Sequence, residues 1–303
     1  MSTCTHVILQ NRGLLGVSGD DRIAFLQGLV SNDVTRVGPD RALYSALLSP
    51  QGKFLHDFFI IEMDGGLLID CEATRLDDLK RKLSMYKLRS KVELVERTAD
   101  FVVAALIGSG VADTLELENE EGLAKPFLGG VAFIDPRLAA IGGRAVIPRA
   151  GADAALNAAG FPEGSPQDYE SARLHLGLPD GSRDMIVDKA ILLENGFHEL
   201  NGVDWNKGCY MGQELTARTH YRGLVKKRLM PVRVEGPLPT PGTPLMLGDK
   251  EAGEMRSGLG DQGLALIRLE QFESLSASGE AFSAGATTLH PVKPDWAEFK
   301  SEQ

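Results

Sequence analysis

Cysteine is scarce: Cys4, Cys71 and Cys209 are the three in 303 residues, widely spaced and without a C-x-x-C pair. A disulfide framework and a four-cysteine zinc or iron–sulfur site within one chain are therefore excluded, and the thiols are expected to be reduced. Long apolar runs are absent as well. The longest, residues 101–107, falls far short of the ~18 to 20 residues that cross a bilayer. Residues 1–10 lack a basic segment followed by an apolar core. No membrane partner and a cytoplasmic location are expected. Nor is there an excess of positive charge: 32 basic against 42 acidic residues leave −10 with neutral histidines, which argues against a protein that coats nucleic acid with its whole surface. Low-complexity tracts are missing, and 43% hydrophobic with 24% charged residues is the composition of an ordinary globular chain. At the usual ~150 residues per domain the length makes about two domains, enough to bury a core without staples.

Familiar catalytic signatures are lacking too. The GSG at 108–110 has neither the third glycine nor the lysine of a phosphate loop, and no G-x-S-x-G elbow or H-E-x-x-H pair occurs. The six histidines, at 6, 56, 175, 198, 220 and 290, put no two at metal-ligand spacing on one helix face. Nucleotide hydrolysis, zinc proteolysis and a self-contained zinc site lose their usual markers.

What is present reads as mixed α+β, not a regular βαβ repeat. Short strands are expected at 7–9 and 14–17, then a helix opened by an S-x-x-D capping box, Ser18 with Asp21, and carrying Ile23, Leu26 and Val30. Strands follow at 42–48, 54–61 and 67–71. A helix then shows Leu76, Leu79, Leu83 and Tyr86 on one face, and 91–95 returns to strand periodicity. Beyond them come strands between 101 and 147, a short helix at 153–159, and a second capped helix opened by Ser165 and Pro166 with Asp168. Prolines at 231, 237, 239, 241 and 244 mark short strands and tight turns, so a small β-barrel is expected from about residue 226.

The most informative stretch is KGCYMGQE at 207–214, followed by Leu215, Thr216, Ala217 and Arg218. A cysteine beside Lys207 at the entry to a helix would have its thiolate favoured by the cation and the helix dipole, making Cys209 a candidate nucleophile or metal ligand. Gly208 and Gly212 would permit tight turns or close backbone approach, and Gln213 and Glu214 could orient the site. The alternative is a small buried hydrophobe between two turn glycines.

Residues 207–214 fit K-G-C-Y-x-G-Q-E, and the chain resembles the YgfZ family on that motif. GDDRIAFLQGLVSNDV at 19–34, LLSPQGKFLHDFFI at 47–60, YKLRSKVEL at 86–94, RLHLGLPDG at 173–181 and RGLVKKR at 222–228 extend the likeness. These are folate-binding-like relatives of the glycine cleavage T-protein that serve iron–sulfur assembly. The resemblance implies a T-protein-like α+β fold of several subdomains around a central cavity. Residues 1–225 would form the folate-type domain, with 91–160 part of a second subdomain, and 226–303 the C-terminal barrel. It implies a folate cavity at Asp57, Tyr86, Arg89 and His175, where Asp57 and the Tyr86–Arg89 stretch would meet a flat anionic ligand such as tetrahydrofolate. His175 stands where T-proteins carry a pterin-binding glutamate, and a neutral imidazole cannot make that paired acceptor contact. Each has a plainer reading: a carboxylate paired with a cation, a helix end with solvated cations, a histidine on a helix flank.

The function implied is a non-hydrolytic accessory factor for iron–sulfur proteins, including radical-SAM enzymes that modify tRNA. Cys209 would be the functional thiol and a ligand to a cluster shared with a partner, an A-type carrier or a client enzyme. Lys207, Gly208, Tyr210, Gly212, Gln213, Glu214 and Arg218 would support it. The alternative is a tetrahydrofolate-dependent one-carbon transferase. A third class, direct tRNA binding, draws on a basic patch at Arg222, Lys226, Lys227 and Arg228. Residues 80–92 and 215–233 each hold six Lys or Arg and no Asp or Glu, leaving −22 for the rest of the chain. These cations are expected either to converge on the cavity and Cys209 or to form two separate solvated faces.

Overall fold

The computed structural model describes residues 4–278 and 280–298, which divide into two compact units that do not follow chain order. The first takes residues 1–50, 55–169 and 200–213; the second takes 51–54, 170–199 and 214–303.

In the first unit, β1 (Thr5–Ile8) and β2 (Arg12–Ser18) lead into helix α1 (Arg22–Gln27). Then follow β3 (Leu43–Leu48), β4 (Phe54–Met63), β5 (Gly66–Glu72), helix α2 (Leu76–Lys87) and β6 (Glu93–Glu96). Beyond these come β7 (Phe101–Ile107), α3 (Val111–Leu115), β8 (Ala124–Phe127), β9 (Gly130–Ile134), β10 (Gly143–Pro148) and α4 (Ala152–Ala158). The strands form two sheets, one ordered β3-β4-β5-β2-β6 and the other β1-β7-β10-β9-β8. Alternation along β4 divides the first sheet's faces. Phe58 and Ile60 point outward and pack with Leu79 and Leu83 of α2 and with Phe25 and Leu26 of α1. Asp57 and Phe59 point the other way, toward the second sheet, where Phe59 meets Phe133 at 6.2 Å between ring centroids. The far face of the second sheet carries Ala104, Leu106, Ile134 and Ile147 against Leu156 and Phe161.

The layer between the sheets is charged. Arg12 donates to Asp70 at 2.6 Å, Arg144 bridges Asp70 at 3.1 Å and Asp135 at 3.2 Å, and Arg137 grips Asp135 through both carboxylate oxygens. All five side chains are buried, and Arg12, Arg137 and Arg144 each lie within 5.8 Å of the Phe59 ring centroid. Burial alone would raise the Asp135 carboxyl, but Arg137 and Arg144 outweigh it and hold the pKa at about 2.

In the second unit, α5 (Pro166–Leu176, from residue 170 on) and α6 (Gly181–Asp184) precede α7 (Gln213–Tyr221). A closed barrel then runs β11-β14-β13-β12-β15-β16, from β11 (Lys227–Glu235), β12 (Pro244–Leu247), β13 (Lys250–Leu259), β14 (Gln262–Arg268), β15 (Phe282–Ala284) and β16 (Thr287–Pro291), with α8 (Leu269–Ser278) between β14 and β15. Arg173 on α5 is fully buried and pairs with Asp184 at 2.8 Å and with Ser257 of β13 at 2.7 Å, tying both short helices to the barrel.

The α+β character and the barrel agree with the sequence reading. Two local expectations fail. Asp21 precedes α1 without capping it, because its carboxylate accepts the backbone N–H of Lys91 instead. Tyr86 lies exposed rather than on the apolar face of α2. The box at Ser165 does form: its hydroxyl accepts from Gln167 N–H while Asp168 accepts the Ser165 N–H.

Candidate functional site

Residues 200–213 return to the first unit although both flanking segments belong to the second. The segment is fastened to residues 28–32, just past α1. Ser31 donates to Gly202 O at 2.6 Å, Asn32 to Asn201 O at 2.7 Å, and the backbone N–H of Met211 to Gly28 O at 3.1 Å. Asp204 accepts the N–H groups of Asn206 and Lys207, an Asx-type turn that closes the loop locally. The Lys207 side chain is buried, and its ammonium donates to Val30 O and Asn32 O, both at 2.6 Å. It also lies 5.1 Å from the centroid of the buried Tyr210 ring. Burial pushes the Lys207 pKa down to about 8 against the opposing pull of Asp33 and Asp204.

Between these two buried anchors stand Gly208 and Cys209, both exposed. The sulfur is thus offered to solvent from a loop clamped on either side. Lys207 spends its donors on backbone carbonyls, and α7 begins only at Gln213, so Cys209 lies outside the first turn where the helix dipole acts. Gly212 has φ +80 and needs to be glycine, whereas a Cβ on Gly208 would meet nothing within 4 Å. Gln213 donates its N–H to Tyr210 O, closing the step into α7, and Glu214 and Arg218 are exposed along that helix.

The other cysteines are interior. Cys4 contacts Thr114 and Gly160, and burial drives the Cys71 thiol up to about 12. Among the described residues no group of three or more His, Cys, Asp or Glu could hold a metal ion, and no helix is long and apolar enough to cross a membrane.

The residues expected to gather around folate are not brought together. Asp57 is buried between the sheets and accepts the Tyr44 hydroxyl at 2.9 Å. Its neighbour His56 points to the opposite face, reaching Asp78 of α2 at 2.9 Å. Tyr86 and Arg89 are exposed at the far end of α2, so the sheet stands between them and Asp57. His175 is exposed on the part of α5 that belongs to the second unit. Within the first unit, Asp57 therefore shares no face with Tyr86 and Arg89. The expected basic patch also loses a member. Arg222 and Lys226 are exposed and Lys227 is half-buried, but strand alternation turns Arg228 inward, where it pairs with Glu199 and donates to Leu193 O at 2.7 Å. The two cationic segments fall in different compact units.

Sequence reasoning missed the partners that shape the loop. The carbonyls of Val30 and Asn32 leave no side-chain signal. Asp204, two residues before Asn206, carried a readable Asx-turn signature.

Comparison with known proteins fits this architecture. Residues 226–299 match the family described as CAF17, C-terminal beta-barrel domain. Over 96% of its length the chain superposes on the glycine cleavage system aminomethyltransferase T of Bartonella henselae, covering 85% of that chain, with a TM-score of 0.75 and 15% identity, so the fold is T-protein-like. Iron-sulfur cluster assembly factor IBA57, mitochondrial, of Mus musculus is 36% identical and that of Homo sapiens 34%, each over 95% of this chain and 84% of the relative. The homologue of Mycosarcoma maydis is 32% identical over 97% of this chain and 85% of its own. The names of these relatives place them in mitochondria, which overturns the expected cytoplasmic location. That expectation rested on a missing export pattern and a missing apolar span, features that proteins inside an organelle share. With matches at this identity across almost its whole length, the chain belongs to the family of IBA57 iron–sulfur cluster assembly factors.

Proposed function

We propose that this protein is an accessory factor for the assembly or repair of iron–sulfur proteins, acting through Cys209. The observation that carries this reading is the presentation of the thiol: an exposed sulfur on a loop whose neighbours, Lys207 and Tyr210, are buried. One thiolate cannot hold a cluster alone, and Cys4 and Cys71 are both buried. The cluster is therefore cargo, and its remaining ligands come from an A-type carrier or from a client enzyme such as a radical-SAM protein. On ligation the Cys209 thiol releases its proton to solvent and its sulfur replaces a ligand on iron, with no change of oxidation state. The one-carbon transferase alternative draws less support from the first unit, where Asp57 lies between the sheets and Tyr86 and Arg89 lie at the end of α2.

The test is anaerobic mixing with a cluster-loaded A-type carrier, followed by absorption spectroscopy of the isolated complex. Wild type is expected to give a cluster spectrum that Cys209→Ser does not. An identical spectrum from the variant overturns the role of the thiol.

A further inference from the structure

We propose that the turn at Leu88 is the docking knob for the acidic protein partner that meets Cys209, an inference that rests on the reading of Cys209 as a thiol shared with a partner. Residues 87–90 form a tight turn at the end of α2, closed by Ser90 N–H donating to Lys87 O at 2.8 Å. Leu88 has φ 44 and ψ −108, close to the first central position of a type II′ turn, which glycine ordinarily fills because a Cβ is strained there. Leu88 is also 89% exposed. Neither backbone preference nor packing within the chain accounts for a leucine at this position, and a residue held under strain and out of the core points to a function at the surface.

The surroundings describe the partner. Met85 is 56% and Tyr86 38% exposed, giving Leu88 two apolar neighbours, and a depression lined by Asp21, Leu88, Arg89 and Ser90 lies beside them. Of the six cations in 80–92, Arg81 and Lys82 pair with Asp78 and Lys91 lies near Asp20. Lys80, Lys87 and Arg89 have no side-chain hydrogen bond or ion pair among the described residues. A knob of leucine and methionine flanked in the chain by Lys87 and Arg89 complements an acidic protein surface with an apolar socket. Nucleic acid would find one exposed ring, Tyr86, to stack on, while Leu88 and Met85 offer only aliphatic surface. Because residues 80–92 carry six cations and no carboxylate in a chain of net −10, an acidic partner is attracted to this segment.

The knob and the thiol sit at opposite ends of one helix. Asp21, at the start of α1, holds the turn by accepting Lys91 N–H at 2.7 Å, and Gly28, at its end, accepts Met211 N–H at 3.1 Å. At 1.5 Å per residue the six residues of α1 span about 9 Å, and Ala24 and Gly28 are exposed along the way. An interface of ordinary size, about 800 Å² on each partner, is wide enough to span that length.

The experiment titrates the apo form of an A-type carrier into wild type, Leu88→Asp/Arg89→Glu, Leu88→Gly and Cys209→Ser, with melting curves for each. The double variant is expected to lose about tenfold or more in affinity at an unchanged melting temperature. Leu88→Gly is expected to bind more weakly while melting roughly 2 °C higher, since it removes the strain together with the knob. A merely structural leucine would not separate binding from stability in this way. Wild-type affinity for the double variant, or no carrier binding by wild type, overturns the proposal. So does Leu88-dependent binding to tRNA or to anionic lipid vesicles in place of the carrier. Normal docking by the Leu88 variants with a Cys209-dependent cluster spectrum removes the knob and keeps the thiol. Loss of docking with a Cys209-independent spectrum removes the thiol and keeps the surface.

Discussion

Asp135 and Cys209 belong to the same compact unit and pose opposite problems. Asp135 is a charge enclosed between two sheets, and it is tolerated because two guanidinium groups converge on it. Cys209 carries a thiol open to solvent, and its loop is kept in place by burying its neighbours instead. In the first region polar groups satisfy one another in the interior; in the second the interior is used to grip a surface loop. Rigidity in both comes from donors aimed at fixed acceptors, so the two regions should respond to substitution on very different scales.

The largest effect is expected at Arg144, which bridges Asp70 and Asp135. Arg144→Leu leaves both buried carboxylates short of a partner and should cost about 3 to 5 kcal/mol in denaturant unfolding. A loss below about 1 kcal/mol would abolish the contrast. Acid should reach the same layer. The Asp135 pKa is held near 2, below its ordinary value of 3.8, so its contribution is complete above that value and is lost as the pH falls from about 4 to about 2. That amounts to about 2 kcal/mol, and Asp135→Asn should flatten the stability profile across the window.

The loop is expected to respond less. Lys207→Met removes one ammonium and its two hydrogen bonds to buried carbonyls and should cost about 2 kcal/mol by thermal unfolding, with a weakened cluster spectrum in complex with the carrier. If stability falls and the spectrum is untouched, the lysine supports the fold without presenting the thiol. Gly212→Ala should cost about 1 kcal/mol because of its positive φ, while Gly208→Ala, beside open space, should stay within about 0.5 kcal/mol. The reverse order would show that the two glycines have exchanged roles. Cys209→Ser is expected to change stability least, within about 0.5 kcal/mol, although it abolishes the proposed activity.

Much of the fold was legible because periodicity reports faces. Leu76, Leu79 and Leu83 at helical spacing marked the buried side of α2, and the proline-punctuated tail marked the barrel. The charged layer was not legible. Arg12 and Asp70 stand 58 positions apart and Asp70 and Arg144 74, and each alone looks like a surface residue. Cys209 could be picked out from KGCYMGQE, but what holds it could not, since main-chain carbonyls accept the Lys207 ammonium. Local motifs also hid which side of a sheet each residue takes. Asp57 and Tyr86 seemed to belong to one pocket until alternation along β4 put a sheet between them.

The fastening of residues 200–213 onto residues 28–32 has a consequence for the order of folding. Lys207 and the Val30 carbonyl are 177 positions apart in the chain, so a loop of that length has to close before the anchor can form. During synthesis both sheets of the first unit are complete by Pro148, some fifty residues before the segment that finishes the site emerges. A nascent chain can therefore hold a stable sheet pair and still lack a presented thiol. The exposed sulfur is thus installed after both sheets of the first unit and before the barrel strands emerge.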